Sequence, residues 1–188
     1  MNAPLEAGLD PCVLASVRDG VRTITMNRGD RFNGLSTAMI AALDAALDEA
    51  AADRDTRVVV LAGVGKAFCA GHDLKEMRAH IDPAWQQALF DACGRMMLKL
   101  TQIPQPVIAR VHGAALGGGM GLCAVSDLVI AESGTRVGFT ETRLGILPAV
   151  ISPFVIAKIG ESHARALFPG GRRFGAVRAQ RIGLVHEV

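Results

Sequence analysis

The sequence predicts an α/β domain whose strands pair largely in parallel after an opening hairpin. Three observations carry that expectation. β-prone and apolar runs alternate with segments of helical period along the chain. Val58 to Ala62 is a continuous apolar run, as expected of a strand buried on both faces. A glycine cluster (Gly113, Gly117, Gly118, Gly119, Gly121) then separates two further apolar runs, between Val107 and Glu141. Glycines packed so closely let a backbone approach a ligand or a neighbouring element without side-chain interference. At 188 residues and 50% hydrophobic, the chain suits one domain with a sizeable core. Residues 1–12 read as a leader and 13–188 as the core.

Val13 to Arg18 and Val21 to Met26 are β-prone and joined by Asp19-Gly20, a strong hairpin signal. Asn27 to Arg31 form a loop. Ser36 or Thr37 caps a helix running to about Ala52, with apolar Met39, Ile40, Leu43 and Leu47 at helical spacing. The Val58 run ends in Gly63 and enters a small-residue loop, where Gly71 permits a tight turn and Asp73 caps a short helix from Leu74. A longer helix spans about Pro83 to Thr101, with proline at the favoured first position. Its Met96 and Met97 read as core filler. Pro104 and Pro106 stop it before the Val107 strand. After the glycine cluster come a small-residue helical segment and a second apolar run. Arg136 to Phe139 form a short strand and Thr140 to Leu144 a helical turn. Ile151 to Ile159, Ser162 to Phe168 and Gly175 to Arg181 read as helices, and Leu184 to Val188 as a final strand.

Net charge of +2 with 20% charged residues offers no electrostatic footprint for nucleic acid. From Lys158 onward the cations outnumber Glu161 and Glu187, which suits an anionic ligand or subunit and equally a solvated helix face. Cys12, Cys69, Cys93 and Cys123 are scattered, with no C-x-x-C. They read as reduced, mostly buried thiols of a cytoplasmic protein, not as a metal site or disulfide frame. The N-terminal residues carry no targeting pattern. Arg110, His112 and the glycines rule the central stretch out as a membrane helix.

Where a glycine loop opens a helix, free N–H groups and the helix dipole favour a negative oxygen. A P-loop would need Lys then Ser or Thr after its last glycine, and neither is present. A G-x-G-x-x-A dinucleotide pattern fits Gly119, Gly121 and Ala124, but the next acidic residue, Glu132, comes too early. Close helix–strand packing stays open beside an anion site. The loop before Leu74 is a second strand-to-helix turn, so two loops can aim two N–H donors at one oxygen, an oxyanion hole in the general sense. Glu141 is the leading acid–base candidate, because a carboxyl beside an apolar loop has its neutral form favoured. On composition alone, a residue that caps or solvates a surface turn is the commoner reading of such a glutamate.

GKAFCAGHDLKEM, IPQPVIARVHGAALGGGMGL, SDLVIA, FTETRLGILP and GRRFGAVRAQRIGLVHEV resemble, in order and spacing, the successive motifs of the crotonase superfamily, the enoyl-CoA hydratases and isomerases. The resemblance runs from about Val13 to Val188 and implies a spiral of ββα units, assembled as a homotrimer or homohexamer. It implies an acyl-CoA thioester as substrate, with no separate cofactor, no metal, no nucleic acid and no membrane. The amides of His72 and Gly118 would hold the thioester oxygen, the His72 imidazole need not take part, and Glu141 would move the proton. Ala70, Asp73, Leu74 and Gly117 would line the CoA arm. Arg28 and Arg31 would meet CoA phosphates or form surface salt bridges.

Two departures from the family pattern matter. Hydratases of this family usually hold water between two glutamates, and Gly121 stands where the first is expected. Asp127, at a helix end, suits a structural role. The FTETRLGILPAVISPFV segment resembles members linked to branched-chain or isoprenoid catabolism, such as 3-methylglutaconyl-CoA hydratases. Family members also continue past the IGLVHEV segment with helices that close the acyl pocket, and the chain is expected to be truncated before them. Three functions compete: hydration of a 2-enoyl-CoA, isomerisation by Glu141 alone, and acyl-CoA binding without catalysis. A dinucleotide-dependent oxidoreductase trails them.

Overall fold

The computed structural model describes residues 11–188, so the leader assigned to residues 1–12 lies almost wholly outside the described residues. Asp19 and Gly20 both take positive φ (52° and 80°) and fold β1 (Val13–Arg18) back on β2 (Val21–Met26) as an antiparallel hairpin. Positive φ at both turn residues matches the twist of the two strands. β3 (Val58–Gly63), β4 (Val107–Val111) and β6 (Leu128–Ala131) then add in parallel, giving the order β1-β2-β3-β4-β6. A second sheet contains β5 (Ala114–Leu116), β7 (Arg136–Gly138) and β8 (Phe174–Gly175).

From β4 onward each turn of the chain lays one strand in the large sheet, the next in the small sheet, and returns by a helix. β4 and β5 lead into α4 (Gly118–Val125), and β6 and β7 into α5 (Ser152–Leu167). β8 then leads into α6 (Ala176–Arg181). This is the expected spiral of ββα units. A bridge between Cys69 and Ala115 brings the loop after β3 to the small sheet. That contact sets two glycine loops side by side.

The helix starts follow their caps. Ser36 Oγ accepts from Met39 N (3.1 Å) at α1 (Thr37–Ala52). Asp73 accepts from Lys75 N and Glu76 N at α2 (Leu74–Ala79), and Asp82 caps α3 (Pro83–Leu100) ahead of its proline. Each such oxygen satisfies amides that a helix start leaves unpaired. Met96, Met97 and Met120 are fully buried with Leu61 and Phe139, which bears out the methionine pair as core. Asp127 Oδ2 accepts from Val107 N (2.7 Å), the structural role expected of it.

The two helices expected between Ile151 and Phe168 are present, lying end to end in α5 across a kink at Gly160, whose φ of 78° and ψ of 158° are not helical. Two expectations need correction. β3 is a central strand with Val59, Leu61 and Ala62 buried, but Val58 and Val60 remain partly exposed. Leu184 to Val188 do not form a strand. Glu187 makes a single bridge to Ile130, and the ring of His186 takes the Val129 N–H at Nδ1 (2.9 Å) in place of a backbone carbonyl.

Candidate active site

The site is built from the two glycine loops. Gly71, at φ 95°, precedes His72, and the backbone here lies alongside Leu35. Leu35 N donates to Gly71 O (2.8 Å) and Asp73 N donates to Leu35 O (3.3 Å). In such a parallel bridge the N–H and C=O of the middle residue point the other way. The His72 amide is thus turned from Leu35 and, among the described residues, donates to no protein acceptor.

The second donor comes from α4. Gly117 takes φ 51° and ψ −119°, its N–H donating to Gly138 O (3.0 Å), and α4 begins at the next residue. The Gly118 N–H therefore has no intrahelical acceptor, and all eight residues of α4 are buried. The loops touch: a Cβ on Gly71 would lie 3.4 Å from Gly118 N and 3.0 Å from Leu116 O. No side chain larger than hydrogen fits at Gly71 without parting them.

Glu141 opens a 3₁₀ turn, Glu141–Leu144, just beyond β7. Its Oε1 lies 3.4 Å from where a Cβ on Gly117 would stand. Burial raises its pKa above the ordinary carboxylate value, because the charged form loses hydration. Four buried side-chain polar atoms lack a partner among the described residues, and two of them are Glu141 Oε2 and His72 Nε2. Burial lowers the His72 pKa to about 4, so its ring is neutral at neutral pH. The ring meets Phe90 edge-on, with centroids 5.2 Å apart.

His72, Gly117, Gly118 and Glu141 line one cavity of about 320 Å³, together with Ala70 and Leu74. An outer cavity of about 480 Å³ shares Ala70, His72 and Leu74 and adds Arg31, Asp73 and Lys75. The pair suits an elongated ligand with its reacting end inward, and in the outer cavity the two cations, Arg31 and Lys75, stand beside two carboxylates, Asp30 and Asp73. A larger cavity, about 570 Å³, lies between α1 and α3 and contains neither glycine loop nor Glu141. Size is outweighed here by chemistry: free amides and an unpartnered carboxyl meet at the smaller inner cavity and are absent from the larger one.

Most of the residues singled out in the sequence therefore converge, and two do not. Arg31 Nη1 pairs with Asp73 Oδ2 at 3.5 Å, the salt-bridge alternative, although it also borders the outer cavity. Asp73 is further occupied in capping α2. Arg28 turns its guanidinium to Cys12 Sγ (3.5 Å) and does not border either cavity. Arg143, Arg173 and Ile146 line the inner cavity unannounced, since nothing in their spacing marks them.

The remaining glycines answer the dinucleotide alternative. A Cβ on Gly119 would lie 2.2 Å from Cys69 O, and one on Gly121 2.4 Å from Ile151 Cγ2 and 2.6 Å from Met97 Cε. Both serve packing, which leaves no face to cradle a phosphate. The same contacts fill the place beside α4 where a first glutamate would stand.

A family model described as enoyl-CoA hydratase/isomerase matches residues 16–188. The crystal structure of an enoyl-CoA hydratase from Mycobacterium smegmatis superposes with a TM-score of 0.92 at 40% identity, covering 95% of this chain and 70% of that one. Pseudomonas aeruginosa AtuE gives 0.90 at 41% identity, covering 94% and 69%. The mitochondrial enoyl-CoA hydratase domain-containing protein 2 of Bos taurus is 35% identical over 178 residues, 94% of this chain and 60% of that protein. This chain spans 60% to 67% of the length of the first curated relatives it matches.

Proposed function

The chain belongs to the enoyl-CoA hydratase/isomerase family, and from that premise we propose that it adds water to a 2-enoyl-CoA thioester through an enolate. The thioester oxygen accepts the His72 and Gly118 N–H groups, which meet the charge as it forms and so stabilise the transition state over the substrate. Glu141, its pKa raised by burial, delivers the proton to the α-carbon. Ala70 and Leu74 flank the thioester arm, and Lys75 meets its phosphates at the outer cavity, joined by Arg31 once it leaves Asp73. One observation carries the reading: two amides without acceptors and one unpartnered carboxyl open into the same cavity.

A second reading, isomerisation by Glu141 alone, draws on the packing of Gly121. Met97 and Ile151 occupy the position of a second carboxylate, so a single proton carrier remains. Exposed Leu144, Ile146 and Leu147 beside the site support assembly into a homotrimer or homohexamer. The free thiols support a reducing compartment, which we take to be the cytoplasm.

Crotonyl-CoA and 3-methylglutaconyl-CoA in ¹⁸O-labelled water test the proposal. Product gaining one labelled water, and Glu141→Gln losing that gain while still binding the thioester, is the expected result. Turnover retained by Glu141→Gln would overturn it. Products of unchanged mass with a shifted double bond would select isomerisation. Tight binding without α-proton exchange would leave a binding protein.

A further inference from the structure

We infer that the His72 side chain is a catalytic residue in its own right, holding the attacking water together with Glu141 in place of the absent first glutamate. The inference rests on the reading above and adds a role to a residue whose backbone alone was needed there.

A small chamber of about 30 Å³ opens beside the inner cavity, bordered by His72, Gly118 and Glu141 and otherwise by apolar groups including Phe90, Leu147 and Ile151. A water needs at least roughly 10–15 Å³ of such space and two to four polar partners. This chamber has the room, and two of the residues bordering it, His72 and Glu141, carry buried side-chain atoms without partners, Nε2 and Oε2. Orphaned buried polar atoms are rare because each gives up its hydration without gaining a partner. Two on one chamber of one-water size point to one shared water.

The chemistry then balances without a second carboxylate. A neutral imidazole with its proton on Nδ1 presents Nε2 as an acceptor. The water donates one hydrogen to Nε2 and the other to the Glu141 carboxylate, which leaves an oxygen lone pair free for the β-carbon. As the C–O bond forms, Glu141 takes the proton it was accepting, and the alkene pair shifts to make the enolate held by the two amides. The enolate carbon takes that proton back from Glu141. His72 orients the water and ends unchanged. Burial keeps the ring neutral near neutral pH, as this role requires.

His72→Ala removes the ring and keeps the amide, so the two roles separate. Crotonyl-CoA hydration reads the water, and deuterium wash-in to butyryl-CoA in D₂O reads Glu141 and the amides alone. The expected result is hydration lower by about 100-fold or more, with wash-in retained and hydration partly restored in His72→Gln. Undiminished hydration in His72→Ala overturns the inference, as does parallel loss of both signals. Wild-type wash-in without hydration overturns it while leaving the proton-shuttling site intact. Absence of both in the wild type removes the function itself.

Two measurements apply without any substrate. A crystal structure is expected to show an ordered water within about 3 Å of both groups, and an empty chamber refutes the assignment. Nitrogen NMR of the histidines is expected to show His72 as the Nδ1–H tautomer at neutral pH, and an Nε2–H or charged ring refutes it.

Discussion

Replacing Gly121 with alanine separates packing from helix propensity within one methyl group. Gly121 lies inside α4, where alanine is intrinsically favoured by about 1 kcal/mol. The added Cβ would stand 2.4 Å from Ile151 Cγ2, 2.6 Å from Met97 Cε and 2.9 Å from Met97 Sδ. The thioether can swing, but Ile151 is β-branched and only 2% exposed. Overpacking a filled core costs about 1–3 kcal/mol, so the net effect is a loss of up to about 2 kcal/mol after the propensity gain. Gly94, within α3, is the matched control. Its Cβ would meet only Val150 Cγ1, at 3.7 Å, an ordinary contact. Gly94→Ala should therefore stabilise, by up to about 1 kcal/mol. Each kcal/mol moves the melting midpoint by roughly 2–4 °C in a chain of this size. Thermal and urea unfolding of the two variants should fall on opposite sides of the wild type. A Gly121→Ala protein melting at or above the wild type would refute the claim that the first-glutamate position is packed shut.

Other outcomes follow from the same geometry. Asp127→Ala leaves the buried Val107 N–H unpaired and should cost about 1–3 kcal/mol by urea titration; an unchanged midpoint would show that another acceptor serves. The His72 pKa falls from 6.5 to about 4 on folding, so the unfolded chain binds the proton more tightly. Stability is then complete above pH 6.5 and declines toward pH 4 by up to roughly 3 kcal/mol, a slope that His72→Gln should flatten. Glu141 has the opposite sign: its raised pKa means stability is greatest at low pH and falls as pH rises through the folded value. Glu141→Gln should consequently unfold later than the wild type near neutral pH, and an earlier transition would contradict the buried setting. Burial pushes the Cys69, Cys93 and Cys123 thiols up to about 12, whereas Cys12 is partly exposed. A thiol reagent should label Cys12 natively and the others only after unfolding; early labelling of Cys69 would indicate a loosely held loop.

Elements whose signal is local were legible in the sequence. Asp19-Gly20, Ser36, Asp73 and Pro83 act on neighbouring amides, and each does what its type implies. The small sheet was not legible as a sheet, because Ala114–Leu116 and Phe174–Gly175 are short and gain their partners only across the spiral. The final segment misled for a related reason. Its apolar residues suggested a strand, yet a side-chain nitrogen of His186 serves Val129 where a ladder would. At the site, glycine loops and Glu141 stood out because their chemistry is unusual at any position. The His72 ring did not, since only folding reveals that Nε2 is buried without a partner in a residue that borders the same chamber as the unpartnered Glu141 carboxyl.

Asn33 lies fully buried in the left-handed region, at φ 52°, before Gly34. Its amide donates to Val64 O and Ala67 O, and its oxygen accepts from Arg28 N. An asparagine followed by glycine is chemically short-lived in a free chain, because the next backbone nitrogen can attack the side-chain carbonyl and expel ammonia. Here that nitrogen donates to Arg31 O at 3.1 Å, and the side chain is held by three bonds. Folding thus stops a chemical clock that runs whenever the loop opens. An aspartate formed at this position has no N–H for Val64 and Ala67, so the damaged loop cannot close as before. Acidic isoforms accumulating in a stored sample would accordingly count the past openings of the segment that carries Arg31 toward the site.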